Sequence, residues 1–155
     1  MKYTDSGGWL GEYDNIITAK NGKTERQHIR NRLTNAGLNM MRDALNGDVS
    51  DIELKYLALG DSGTPIDNDD TTLGNERFRT GWISQVKPGT GQLQSTAMVL
   101  DNEAVFHIQE IGIFAGPDAT ESANTGVLVS RILWERDKTN LESIQFVRTD
   151  TIKRG

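Results

Sequence analysis

Between residues 79 and 152 the chain repeats one pattern. Apolar and polar residues alternate in five short segments, 79–87, 92–100, 104–114, 127–136 and 141–152, each bounded by Gly, Pro, Asn or Asp. A period of two sends successive side chains to opposite faces of a strand, so each segment reads as a β-strand with one face toward a core. A sixth segment, 52–59, is apolar on both faces toward its end, as a central strand would be. Pro88-Gly89-Thr90-Gly91 suits a hairpin joining the first two of the five, and Asp101-Asn102 suits a tight turn between the next two, which would make neighbours antiparallel.

One segment breaks this period. Thr34 offers a hydroxyl to the free N–H groups of a helix running from Asn35 to Leu45, and Asn46-Gly47 supplies the stop. Leu38, Met41 and Leu45 fall at i, i+3 and i+7 with Ala44 beside them, a stripe expected to dock on a sheet. Its methionines are expected to fill gaps in the core, the commoner use of that side chain.

The fold class expected is α+β, mainly β: an antiparallel β-sandwich of about six strands with one packed helix and an extended N-terminal arm. The arm is residues 1–25, rich in Gly, Asp, Asn and Lys; residues 26–155 form a single β-rich structural domain. Trp9, Leu10, Tyr13, Ile16 and Ile17 supply the arm's apolar surface. An arm cannot bury such side chains alone, so these five are the candidate assembly contacts, against their own domain or a neighbouring subunit.

Composition narrows the function. The formal net charge is -5, with Lys and Arg scattered along the chain, which argues against nucleic-acid binding. No cysteine is present for a disulfide or a thiolate metal site. No run of about 18 apolar residues suggests a membrane span, and the N-terminus lacks the apolar core of a secretory signal, so a soluble protein kept in the cell is expected.

Candidate chemistry is sparse. His28 sits in a charged stretch and His107 in an apolar strand, neither with a second histidine at ligand spacing. Asp61, Asp67, Asp69, Asp70 and Glu76 offer oxygens that a calcium ion would accept, yet Thr72 and Phe78 stand where an EF-hand loop needs Gly and Glu, so a solvated turn is expected. Glu103 and Glu110 are the paired carboxylates of the strand region; an ion pair of Glu110 with Arg77, Arg79 or Arg131 is the simpler account. Gly60-Asp61-Ser62-Gly63 lacks the lysine of a phosphate-binding loop. Trp9, Trp82 and Trp134 could stack on sugars, although the two in strands are expected in the core. No cofactor, metal or catalytic residue is expected.

Several short motifs follow one another in order. They are Asn31-Arg32-Leu33-Thr34-Asn35-Ala36-Gly37-Leu38, Tyr56-Leu57-Ala58-Leu59-Gly60-Asp61-Ser62-Gly63, residues 70–79 (DTTLGNERFR), Ile108-Gln109-Glu110-Ile111-Gly112-Ile113-Phe114, and Gly126-Val127-Leu128-Val129-Ser130-Arg131. In this order and spacing, over residues 25–150, the chain resembles the N-terminal domain of bacteriophage tail-collar and tail-fibre proteins and related small baseplate proteins. The resemblance implies a non-enzymatic virion component, a tail, collar or baseplate adaptor. Its partners would be further copies of itself, as a homo-oligomer, and other virion proteins; it would assemble in the host cytoplasm. Gly37 and Gly112 would permit close backbone approach, Gly60 a sharp turn, and Glu76 or Glu110 would anchor arginines between layers. The chain stops after Lys153-Arg154-Gly155, unlike a fibre, and so looks like a free-standing adaptor. Alternatives are a capsid decoration protein, a host-carbohydrate-binding module, and a metal-dependent hydrolase using the acidic loop 61–76.

Overall fold

The computed structural model describes residues 7–155; residues 1–6 of the expected arm lie outside the described residues. The described chain forms nine strands and one helix in the order β1 (Gly8–Ala19), β2 (Thr24–Arg30), α1 (Asn35–Leu45), β3 (Leu54–Gly60), β4 (Glu76–Gly81), β5 (Ser84–Val86), β6 (Gln92–Val99), β7 (His107–Ala115), β8 (Val127–Asp137) and β9 (Glu142–Lys153). A five-stranded sheet, β2-β1-β9-β6-β5, packs on a four-stranded sheet, β4-β3-β7-β8, and the strand pairs in both are antiparallel. The mainly β sandwich with one helix is thus present.

Alternation explains the layers. In β9, Ile144 and Phe146 are buried while Gln145 and Val147 face outward, and β1 buries Tyr13 and Ile17 on the same inner side. Leu57, Leu59, Ile111, Ile113 and Ile132 meet them from the four-stranded sheet in one core cluster. The Trp134 and Phe146 rings close the sheet interface edge to face at 5.7 Å. The four-stranded sheet is buried on its other face too. There Ala58, Phe114 and Leu128 form a second cluster with Leu73 from the long loop between β3 and β4.

Several expectations change. Residues 8–19 of the expected arm are strand β1, paired along its length with β9 on one side and along Glu12–Thr18 with β2 on the other. The expected strand 79–87 is two strands in different sheets, because the chain crosses the sandwich between Gly81 and Ser84. Asp101-Asn102 is not a hairpin turn: residues 100–106 carry the chain from β6 in one sheet to β7 in the other. The hairpin through Pro88–Gly91 does join β5 to β6.

The helix begins and ends as expected, with the Thr34 hydroxyl accepting from Gly37 N at 2.9 Å. Its docking stripe is different. Leu38 is 48% exposed and Leu45 84%, whereas Gly37 and Met40 are buried. The cause is close backbone contact: Gly37 lies so near strand β8 that a Cβ there would stand 2.8 Å from the Val129 carbonyl oxygen. The Thr34 hydroxyl and N–H bond carbonyls of Leu128 and Val129, which fixes the helix start on that strand.

Candidate functional site

Three buried arginines organise the polar interior. On the outer face of the four-stranded sheet, Glu110 of β7 is fully buried and accepts from Arg131 Nε of β8 at 2.7 Å. The same carboxylate accepts backbone N–H groups of Ser62, Gly74 and Asn75. Arg131 in turn donates to the carbonyls of Ser62, Thr64 and Pro65 and to Asp70. Both ends of the loop 61–75 are therefore tied to one ion pair. Gly60 makes room for it, since a Cβ at that position would stand 2.3 Å from Glu110 Oε1. Its role is close approach inside β3, not the sharp turn expected.

A second pair stands beside the first. Arg79 bonds Glu76 through both Nε and Nη2 at 2.8 Å, a bidentate arrangement with side-chain exposures of 3% and 1%. The Arg79 guanidinium lies over the Phe114 ring, 4.1 Å from its centroid, and donates to the Thr120 and Thr125 carbonyls. Glu76 also accepts from Asn124 N. The polar loop 116–126 is thereby fixed on the sheet. Both carboxylates thus anchor arginines, and the layers they join are the four-stranded sheet and the loops over its outer face.

A third group does lie between the sheets. Arg148 is fully buried, bonds Asp150 through Nε and Nη2, and donates through Nη1 to the Tyr13 hydroxyl and to Ser130 Oγ. Burial pushes the Tyr13 phenol above its ordinary range, with Arg148 opposing. Burial likewise works against the Arg148 charge, but Tyr13 and Asp150 outweigh it and keep the guanidinium more basic than usual. Sequence reasoning missed this group. The signal was present: the period of two that points Ile144 and Phe146 inward points Arg148 and Asp150 inward as well.

Asp150 also accepts from the Trp9 indole at 2.9 Å, and both residues line a pocket at that end of the sandwich. Its volume is about 510 Å³, within the usual range of ligand pockets. Met40 and Met41 of the helix, Ile52 and Leu54, Leu93 and Ile152 make most of its wall, with Gln85, Lys87 and Gln92 at the β5–β6 side. An apolar hollow of this kind accepts apolar side chains. The carboxylates described above are all engaged by arginines or N–H groups and hold structure in place.

The five candidate assembly residues part company. Tyr13 and Ile17 are 0% and 3% exposed and are occupied in the core of their own domain. Leu10 and Ile16 are half-buried on the outer face of the five-stranded sheet, and Trp9 lines the pocket. Trp134 is a core residue, and Trp82 donates to the Leu54 carbonyl. In the acidic loop Asp67 accepts from Asp69 N, Asp69 from the Asn35 amide, Asp70 from Asp67 N and Arg131, and Asp61 from Asn75 and Arg77. Among the described residues, no group of three or more His, Asp or Glu side chains gathers as metal ligands would. His28 contacts Asp14 at 3.1 Å on an exposed sheet face, and His107 stands 3.5 Å from Glu135. Glu110, by contrast, has one of its expected partners, Arg131. Comparison with family models, with curated proteins and with solved structures gives no match for this chain.

Proposed function

We propose that this chain is a non-enzymatic structural component of a bacteriophage virion, a tail, collar or baseplate adaptor that joins its neighbours by protein–protein contacts and anchors a fibre. One observation carries the reading. Four of the five motifs that resemble the tail-collar and tail-fibre domain are far apart in sequence, yet they meet in one place. Ser62, Gly74 and Asn75 bond Glu110, Glu110 bonds Arg131, Leu73 packs on Gly112, and Glu76 with Arg79 stands alongside. Residues that share one buried cluster depend on one another, so a set of weak motifs gains weight as a unit. The cluster holds loops rigidly on a sheet, which suits a part that presents fixed surfaces to neighbours.

The test is location and loss. Purified particles of the encoding phage are probed with an antibody against the chain, and particles are prepared from a phage whose copy of the gene is disrupted. Labelling at the tail or baseplate, with loss of fibres or of assembled tails on disruption, is the expected outcome. Labelling over the head would point instead to capsid decoration. Absence of the chain from particles would overturn the reading.

A further inference from the structure

The sandwich has two unlike ends, and strand register says which loops belong to each. In β9, Glu142 pairs with Ala19 and Lys153 with Gly8, so the strand spans the domain from one end to the other. The pocket lies at the Gly8–Lys153 end, with Ile152, 51% exposed, on its wall. At the opposite end, β6 stops at Val99 and β9 starts at Glu142. There three large apolar side chains stand out: Leu100 is 52% exposed, Val105 49% and Leu141 58%.

These three are held, not loose. The buried Lys138 ammonium donates to the Asp101 and Thr139 carbonyls, tying the loop that carries Leu100 and Val105 to the turn that carries Leu141. Lys20 secures the same region, its N–H on the Leu141 carbonyl and its ammonium near Asp101. An apolar hollow at one end and a fixed apolar projection at the other could serve each other by their chemistry. Within one molecule they cannot meet, because the twelve residues of β9 separate them by roughly 36 Å at about 3.3 Å per residue.

We infer that the pocket is the socket of a head-to-tail contact between copies of this chain, and that Leu100, Val105 and Leu141 of the next copy are its plug. Charge agrees in part. Lys87, Lys153 and Arg154 stand at the socket end, and Asp101, Glu103 and Asp137 at the plug end, although Glu53 and the Arg148-paired Asp150 line the socket and Lys20, Lys23 and Arg136 sit near the plug. A contact between two different surfaces of the same protein does not use itself up. It repeats until it closes into a ring or continues as a stack. The inference deepens the assembly reading above by naming the self-contact.

The experiment uses the full chain in three forms: wild type, a plug variant (Leu100→Asp with Leu141→Asp) and a socket variant (Ile152→Asp). All the changed side chains are exposed, and circular dichroism verifies that each variant folds. Mass is followed by sedimentation over a range of concentrations. Wild type is expected to form multiples of 17.2 kDa, and each variant alone to stay at that single mass. An equimolar mixture of the two variants should give a species of twice the monomer mass and nothing larger, because it restores one plug and one socket per pair. A wild type that stays monomeric, a multimer that survives both changes, or a mixture that shows no pairing would overturn the inference. The assembly reading is judged separately by the presence of the chain in particles, so either can fail without the other.

Discussion

Arg131 Nε reaches Glu110 Oε2 at 2.7 Å, and the two side chains expose 2% and 0% of their surface. The pair crosses from β8 to β7 on the face that the loop 61–75 covers. Among the described residues, everything Glu110 accepts beyond Arg131 is backbone N–H from that loop, and most of what Arg131 donates goes to the loop's carbonyls. Removing Arg131 leaves Glu110 charged, buried and without a cation, whereas Arg131 without Glu110 would still have Asp70 at 3.2 Å.

Replacing Arg131 with Met should therefore cost about 3–5 kcal/mol of unfolding free energy, measured by denaturant titration. Changing Glu110 to Ala in the same chain should recover part of that loss, since Glu110 no longer stands as a lone charge. If the double variant were less stable than Arg131→Met alone, the isolated carboxylate would not be the source of the cost.

Gly37 offers a test where two local effects oppose. In an exposed helix, Gly→Ala stabilises by about 1 kcal/mol. Here the added Cβ meets the Val129 backbone at 2.8 and 2.9 Å, atoms that cannot turn aside as a side chain would. Gly37→Ala is expected to destabilise by about 1–3 kcal/mol net, as overpacking does. A gain in thermal midpoint would show that the helix can lift away from β8 without penalty.

The Tyr13 phenol makes the fold sensitive to alkali. Its folded pKa is raised by burial, so above the ordinary tyrosine value near 10 the unfolded chain releases a proton that the folded chain keeps. Stability tied to this group is whole below that pH and is lost as pH climbs through the raised value. Tyr13→Phe should lower stability at pH 7 by about 1.5–3 kcal/mol, since a hydrogen bond to a charged group goes, and should flatten the decline above pH 10. A decline just as steep in Tyr13→Phe would assign it to other groups.

Asn15 is wholly buried on the inner face of β1, next in alternation to Tyr13 and Ile17, and among the described residues neither atom of its amide has a hydrogen-bond partner. A buried polar group in that state costs about 1–3 kcal/mol. Asn15→Leu, which keeps the number and branching of side-chain heavy atoms, should raise the unfolding midpoint. A drop would mean that the amide is satisfied by a bound water that the leucine expels.

The parts of the fold that were legible in sequence are those set by local rules. Thr34 and Asn46-Gly47 delimit the helix because capping depends on neighbours one to three residues away. Residues 52–59 read as a central strand because β3 carries apolar side chains on both faces, one toward each cluster. β1 was hidden because its inward positions alternate Gly11, Tyr13, Asn15 and Ile17, so half of them are not apolar, while Leu10 and Ile16 sit on the outer face. Nothing local tells residues 100–106 to cross between sheets instead of turning back.

For the candidate site, the Glu110–Arg131 pair was foreseeable as one of three options, since a carboxylate set among Ile108, Ile111 and Ile113 needs a cation. The choice of Arg131 follows from β7–β8 register, in which Gly112 faces Arg131 and Glu110 faces Leu133. The pocket had no signature at all. Its walls come from the start of β1, the helix, the approach to β3, the β5–β6 hairpin and the end of β9, and only the finished fold brings them together.

Pairing the first strand with the last also sets a schedule for synthesis. Between Ala19 and its partner Glu142 lie more than a hundred residues, so at 5–20 residues per second β1 waits roughly 6–25 s for β9 to be made. Until then it has β2 alone, and a two-stranded hairpin is barely stable in water. The five-stranded sheet is accordingly finished only after β9 has been made. A chain cut short before Glu142 would keep an open edge on β1, ready to pair with another unfinished copy.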